Sequence, residues 1–166
     1  MISKGKLAGL VGLGVVIGAG ATALIVDRDA GAADHPEMTV YMTPQCGCCG
    51  DWVDYMEEAG FETERVLKQD LTGIKLEHGL TRELASCHTA LIDGYVIEGH
   101  VPAEEVERLL QEQPEDLRGL SVPGMPHGTP GMETGRVDPY NVVAFNEAGE
   151  AWIYAAYEEG GYAPLE

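Results

Sequence analysis

The four cysteines of the chain fall into two short clusters, and their types and spacing could support metal or redox chemistry. Cys46, Cys48 and Cys49 form the first cluster, and Cys87 is followed directly by His88. A thiolate is both a nucleophile and a soft metal ligand, and Cys46 and Cys49 have the C-x-x-C spacing of a dithiol redox pair. Cys48 is then a surplus thiol that would compete for the same disulfide. This surplus favours a metal site over a simple dithiol switch.

The type of ligand indicates which metal to expect. Thiolate-rich sites hold Cu(I), zinc or iron–sulfur clusters, and the cysteine spacing does not match the longer ferredoxin patterns. A Gly- and Pro-rich stretch over 119–137 adds Met125, His127 and Met132, and thioether with imidazole favours copper. We therefore expect Cu(I), with bridging thiolates able to hold more than one ion. Met125 is an outer candidate ligand, and zinc is the alternative metal.

The segments around the cysteines predict a mixed α/β fold. Trp52, Tyr55 and Met56 repeat at helical spacing after the first cluster, and a helix is therefore predicted over 51–59. The other predicted elements are strands at 38–43, 61–67, 89–92 and 95–101, a short helix between 70 and 79, and a helix from 102 to 114. The resulting order, β-α-β-α-β-β-α, is thioredoxin-like. A Gly/Pro-rich loop and a C-terminal β-hairpin over 141–146 and 151–157 are predicted as an addition to this core.

A hairpin register places the second cluster. Asp93-Gly94 is a strong two-residue turn signal, and counting back from it puts Cys87 opposite His100. In a thioredoxin-like sheet the start of this third strand lies beside the loop after the first strand. We therefore expect both cysteine clusters to converge, together with His88 and His100. A bulge in the hairpin would change which histidine points inward.

The N-terminal segment predicts the compartment. Two lysines precede an uncharged apolar run over 7–26, and an Ala30-Gly31-Ala32 stretch follows. This outline predicts that residues 1–33 are a helical signal peptide or membrane anchor. Residues 34–166 are then a single exported domain, either periplasmic or tethered to the membrane and facing outward.

The charge of the chain limits its partners. It has 28 acidic against 10 basic residues, a formal net charge of −18. Such a surface repels nucleic acid phosphates and anionic lipid, which excludes nucleic acid as a partner and leaves membrane contact only to the N-terminal segment. A solvated acidic surface is the simplest interpretation, and a role in gathering cations is the alternative.

Three motifs resemble the CopG-like family of exported copper-resistance proteins, long catalogued as a domain of unknown function. They are CGCCGDW (46–52), SCHTALIDGYVIEGHVP (86–102) and VPGMPHGTPGME (122–133). The resemblance implies a thioredoxin-like fold, binding of several Cu(I) ions, and a part in copper tolerance that includes copper redox interconversion. The family motifs are matched at Cys46, Cys48, Cys49, Cys87 and His88, while His100 and Met125 lie in matching motifs. Metal ions are the expected partners, with other copper-handling proteins of the envelope.

Two other functions remain open at this point. One is a thiol–disulfide oxidoreductase that uses Cys46 and Cys49, although such an enzyme usually has a proline just before the third strand, where this chain has Cys87-His88. The other is a structural zinc domain of the Cys₃His type. We assign no catalytic residue and favour a metal-binding protein over an enzyme.

Overall fold

The computed structural model describes residues 35–158 and 161–164. The helical segment predicted over residues 1–33 lies outside these residues. Within the described part of the chain, none of the helices is both long enough and apolar enough to cross a membrane.

The described residues form a mixed α/β structure built on an eight-stranded sheet. The strand order across the sheet is β2-β1-β3-β4-β5-β6-β7-β8. Along the chain the elements are β1 (Met38–Met42), α1 (Gly47–Glu58), β2 (Thr63–Leu67), α2 (Thr72–Glu77), β3 (Thr89–Ile92), β4 (Tyr95–Glu98), α3 (Ala103–Glu112), β5 (Gly119–Ser121), β6 (Tyr140–Phe145), β7 (Ala151–Glu158) and β8 (Gly161–Ala163).

The first seven elements follow the predicted order, with one difference that affects the cysteines. Helix α1 begins at Gly47 and not at residue 51, so Cys46 is its N-cap and Cys48 and Cys49 lie in its first turn. Cys49 is fully buried, as are Trp52, Val53 and Met56. The Cys49 side chain therefore extends the apolar face of the helix by one turn, since a free or bridged cysteine packs as a small hydrophobic group.

The C-terminal part departs further from the prediction, because the extension is continuous with the main sheet. Residues Gly119–Ser121, predicted to lie in an aperiodic loop, form β5, which pairs parallel with β4 and antiparallel with β6. Strand β5 can approach β4 because residue 119 is glycine, where a Cβ atom would overlap the carbonyl oxygen of Val96. The predicted hairpin is present as β6 and β7, and β8 adds an edge strand.

The core lies between the sheet and the helices α1 and α3. Met38 and Val40 of β1 are fully buried, and so are Trp52 of α1 and Val106 and Leu109 of α3. The Trp52 indole also donates a hydrogen bond to the carbonyl oxygen of Val101 at 2.9 Å. This packing fixes the start of α1 relative to the end of the β3–β4 hairpin.

Candidate metal centre

The two cysteine clusters meet because β1 and β3 are neighbouring antiparallel strands. Tyr41 near the end of β1 pairs with Thr89 at the start of β3. The chain that leaves β1 toward Cys46 and the chain that enters β3 after Cys87 and His88 therefore lie at the same edge of the sheet. The predicted convergence of these segments is a direct result of this pairing.

The predicted hairpin register is confirmed. Ile92 pairs with Tyr95, and the register continues to Thr89 opposite Glu98. Asp93 and Gly94 both have positive φ angles, 47° and 83°, as the two-residue turn requires. Counting two residues further along each strand brings Cys87 to His100, whose Nε2 lies 3.1 Å from the Cys87 sulfur.

The donor atoms form two overlapping groups, within each of which all ligand atoms lie within 4.8 Å of one another. One group has four sulfurs, and the other has one sulfur and two imidazoles. Their members are Cys46, Cys48, Cys49 and Cys87 in the first, and Cys87, His88 and His100 in the second. The Cys87 thiol belongs to both groups and therefore joins them.

The first cluster is present in a partly oxidised form. Cys46 and Cys49 are joined by a disulfide, with their Cα atoms 5.3 Å apart, while Cys48 and Cys87 are free thiols. The Cys48 sulfur lies 3.7 Å from that of Cys46. A disulfide sulfur is a poor metal ligand compared with a thiolate. The redox state of this one bond therefore decides how many of the four sulfurs are available as thiolates.

Burial keeps the Cys87 thiol protonated in the absence of a metal. Desolvation, together with the neighbouring Cys48, raises the pKa of Cys87 to about 12, while the Ser86 hydroxyl acts in the opposite direction. The imidazoles on either side can accept its proton, since His88 Nδ1 lies 3.4 Å and His100 Nε2 lies 3.1 Å from the sulfur. A cation would compensate the cost of burying the thiolate and displace this proton.

His100 is held in one tautomer by a backbone carbonyl. Its Nδ1–H donates to the carbonyl oxygen of Pro130 at 2.7 Å, which leaves the Nε2 lone pair directed at Cys87. This is the arrangement by which proteins orient a metal-ligating imidazole. Burial lowers the pKa of His100, although the hydrogen bond to Pro130 opposes the shift. The ring is therefore neutral at pH 7, as a ligand must be.

His88 is fully buried and its Nε2 has no hydrogen-bond partner among the described residues. The ring packs against the indole of Trp52 with centroids 4.4 Å apart, and its edge meets His100 at 5.1 Å. Burial lowers the pKa of His88 well below its usual value, with further lowering by His100 and Lys75. The nitrogen that faces the Cys87 sulfur is Nδ1, and Nδ1 is therefore the atom of His88 that could bind a metal beside Cys87. The unpaired Nε2 is on the other side of the ring.

Met125 is placed near this edge of the sheet, but its thioether is half exposed. The preceding residue, Gly124, forms an isolated bridge with Ser86, next to Cys87. The role of Met125 as a ligand stays a prediction. His127 is turned into its own loop, where Nδ1 lies 2.7 Å from the hydroxyl of Thr134.

Two acidic residues lie close enough to His100 to act on it electrostatically. Asp51 in α1 and Glu133 in the Gly/Pro-rich loop both act on His100 in the direction that raises its pKa, against the larger effect of burial. Negative potential at this position favours the approach of cations.

Sequence reasoning missed two features that hold the donor atoms. One is the Pro130 carbonyl, a main-chain group that side-chain patterns do not report. The other is Glu98, a buried acid whose two oxygens contact the segment that carries Cys87 and His88. Its sequence signal was a single charged residue in an otherwise apolar strand, opposite Thr89 in the predicted register.

The donor set fits a soft metal ion. Thiolates and neutral imidazoles suit Cu(I) and zinc, whereas the hard ions calcium and magnesium require oxygen ligands. The Nδ1 of His88, which faces the Cys87 sulfur, and the oriented Nε2 of His100 are consistent with binding a metal in this place. A mixed α/β protein with this cysteine–histidine cluster at the ends of its central strands is a candidate metal-binding protein.

Comparison with known proteins identifies the family. A family model described as "Protein of unknown function, DUF411" matches residues 84–132, which include Cys87, His88 and His100. A solved structure titled "Copper resistance protein copG- Form 2" is 40% identical, with a TM-score of 0.71, and the match covers 75% of this chain and 100% of that one. A second, titled "Copper resistance protein copG- Form 1", is 40% identical with a TM-score of 0.70 over 75% of this chain and 98% of the other. Curated proteins give no match.

The chain belongs to the CopG-like copper-resistance family. The family and the cysteine–histidine cluster together indicate a copper-related function.

Proposed function

We propose that this protein is an exported copper-binding protein that holds Cu(I) and acts in copper tolerance. The proposed ligands are Cys46, Cys48, Cys49, Cys87, His88 and His100, with Met125 as an outer ligand. One observation carries the proposal: the two donor groups share the thiol of Cys87. A shared thiolate can bridge metal ions, so more than one Cu(I) is the expected load.

The strand arrangement supports the finer description of the fold. Strands β2, β1, β3 and β4 are neighbours in that order, with a parallel β1–β2 pair followed by two antiparallel pairs. Together with the order of the helices, this strand order is the one that a thioredoxin-like fold would have, and it supports that proposal. Cys46, the first cysteine of the C-x-x-C spacing, is the N-cap of α1, where the helix N-terminus favours a thiolate once the disulfide is reduced.

The main experiment is an anaerobic Cu(I) titration of the reduced full chain against a chromogenic Cu(I) chelator. The wild type is expected to withdraw at least one equivalent of Cu(I) from the chelator. Serine at Cys46, Cys48 and Cys49 together should abolish most of that binding. His100→Gln should weaken Cu(I) binding as well, and His127→Gln is its matched control, because His127 is an imidazole outside both donor groups. Unchanged binding by the triple serine variant would disprove the proposal.

Elemental analysis separates copper from zinc. Protein produced in medium containing both metals should carry copper in excess of zinc, because four thiolates and two imidazoles in overlapping groups suit several Cu(I) ions better than one tetrahedral zinc. Stoichiometric zinc that Cu(I) does not displace would favour a structural zinc site instead.

A second candidate function is thiol–disulfide exchange, and the Cys46–Cys49 disulfide favours it. Against it, Cys87 and His88 occupy the position where a disulfide substrate would dock in a thioredoxin-like enzyme. The metal-free protein should therefore have no disulfide reductase or isomerase turnover. Turnover that is lost in Cys46→Ser and retained in Cys87→Ser would favour the enzyme.

Export and copper redox interconversion complete the proposal. Export rests on the basic start and apolar run of residues 1–26. Cell fractionation with mass spectrometry of the mature N-terminus distinguishes a cleaved signal from an anchor, and recovery of the protein in the cytoplasm would contradict export. Interconversion is tested by following Cu(II) with electron paramagnetic resonance during incubation of the loaded protein with a reductant and then an oxidant.

A further inference from the structure

Glu98 is a fully buried acid in the sheet next to the candidate metal centre. It lies on β4 opposite Thr89 on β3, and no part of its side chain is exposed. Acidic side chains are almost never fully buried unless they are paired, since an unpaired charge in the interior is costly. Glu98 is paired, with the ammonium group of Lys75, which reaches it from α2.

The two oxygens of Glu98 hold both ends of a four-residue segment. Oε1 accepts a hydrogen bond of 2.6 Å from the backbone N–H of Ser86. Oε2 accepts one of 2.7 Å from the hydroxyl of Thr89. The two residues between these contacts are Cys87 and His88.

The contacts from Glu98 add to weaker restraints on the same segment. The backbone N–H of Gly99 donates to the carbonyl oxygen of His88 at 3.0 Å. Regular strand pairing begins only at Thr89, so the backbone N–H of Ser86 lies outside the ladder. The carboxylate of Glu98 is therefore the partner of the Ser86 backbone N–H, while the Ser86 hydroxyl, which donates to the carbonyl oxygen of Gly124, is a second restraint at this end of the segment.

We infer that Glu98 is a positioning residue for the metal centre, which clamps the Ser86–Thr89 segment so that the Cys87 sulfur and the His88 ring face the other donors. Lys75 is the ion-pair partner of this buried carboxylate. The inference rests on the proposed function, because it assigns Glu98 to the positioning of two proposed ligands. Outer partners of this kind typically change metal affinity by about 10–100-fold when they are removed.

The test compares Glu98→Gln with Glu105→Gln. Glu105 is also buried and bonded, to the hydroxyl of Tyr157 at 2.9 Å and to Arg108 at 2.6 Å, and it lies outside both donor groups. Both variants replace a buried, ion-paired carboxylate with an amide of the same shape. Any general cost of that change is therefore measured by the control. Thr89→Val, which removes one clamp contact and keeps the β-branched shape, is the second variant should Glu98→Gln not fold.

Four quantities are measured on the reduced full chain. The first is the free energy of unfolding, and the second is the Cu(I) affinity, measured by chelator competition. The third is the ultraviolet thiolate-to-Cu(I) absorption per copper, and the fourth is the alkylation rate of Cys87 in the metal-free protein. We expect both glutamine variants to lose stability. Only Glu98→Gln should weaken Cu(I) binding about tenfold or more, change the absorption per copper, and speed the alkylation of Cys87.

Each outcome decides the matter. Equal Cu(I) affinity, absorption and Cys87 alkylation rate in the two glutamine variants would overturn the positioning role. If the wild type itself does not bind Cu(I), the proposed function fails, and the clamp is then judged by alkylation alone. In that case an unchanged Cys87 rate in Glu98→Gln and Thr89→Val overturns the inference, and a faster rate in both supports it.

Discussion

Replacing Gly131 with alanine is expected to displace the Gly/Pro-rich loop from the candidate metal centre. Gly131 has a φ angle of +78°, and a Cβ atom there would lie 2.6 Å from the backbone nitrogen of Trp52 and 3.0 Å from the carbonyl oxygen of Cys48. Both are backbone atoms of α1, which cannot move aside as a flexible side chain could. The preceding carbonyl, of Pro130, is the one that orients His100.

The expected cost follows from two effects. An alanine in the left-handed region costs about 1–2 kcal/mol. The overlap with α1 adds about 1–3 kcal/mol if the loop stays in place. If the loop lifts instead, the overlap is relieved and the hydrogen bond to His100 is lost, at about 0.5–1.5 kcal/mol. Since the loop adopts the less costly of the two arrangements, the free energy of unfolding should fall by roughly 1.5–3.5 kcal/mol.

Gly135→Ala is the matched control. Gly135 lies in the same loop with a φ angle of +84°, but its Cβ would have no heavy atom within 4 Å. Only the backbone effect applies there, so a loss of about 1–2 kcal/mol is expected. Urea unfolding of the reduced, metal-free full chain measures both variants. Chelator competition then measures Cu(I) affinity, which should fall about tenfold in Gly131→Ala alone, because His100 loses its orienting carbonyl.

Two results would refute this reasoning. Equal stability of the two alanine variants would mean that the loop does not rest on α1 as closely as the structure has it. A destabilised Gly131→Ala with wild-type Cu(I) affinity would mean that the Pro130 carbonyl does not determine how His100 is presented to the metal.

Two further predictions concern the redox state and the pH. Oxidising the protein so that only the Cys46–Cys49 disulfide forms should lower the number of Cu(I) ions bound, because two thiolates are lost. Cu(I) titration before and after reduction measures this number, and equal stoichiometry in the two states would contradict the prediction. The metal-free protein should become less stable as the pH falls below about 6.5, because burial depresses the pKa values of His88 and His100 and the unfolded chain binds more protons in that range. Each histidine contributes a slope of up to about 1.4 kcal/mol per pH unit. His88→Leu should reduce the slope measured by urea unfolding between pH 7 and 5, and an unchanged slope would contradict the assignment.

The parts of the site that could be predicted from the sequence depend on local signals. The Asp93-Gly94 turn fixes the hairpin register, and Cys87 therefore meets His100 as counted. Strand β5 could not be predicted in this way, because the three residues Gly119–Ser121 are too few for an alternating pattern and pair only with distant segments. The earlier start of α1 was missed because cysteine was weighed as a ligand and not as part of an apolar helix face.

The three segments that carry the candidate donors are brought together by main-chain pairing. Strand β1 leads to Cys46, strand β3 follows Cys87 and His88, and strand β4 leads to His100, and these three strands are neighbours in the sheet. The donor atoms can therefore converge in the metal-free protein, so metal binding does not have to drive the folding of this site. What changes on loading is chemical: the Cys46–Cys49 disulfide must be reduced and the proton of Cys87 displaced. If the site binds Cu(I) as proposed, its copper uptake should consequently be controlled by reducing equivalents and proton release more than by a conformational change.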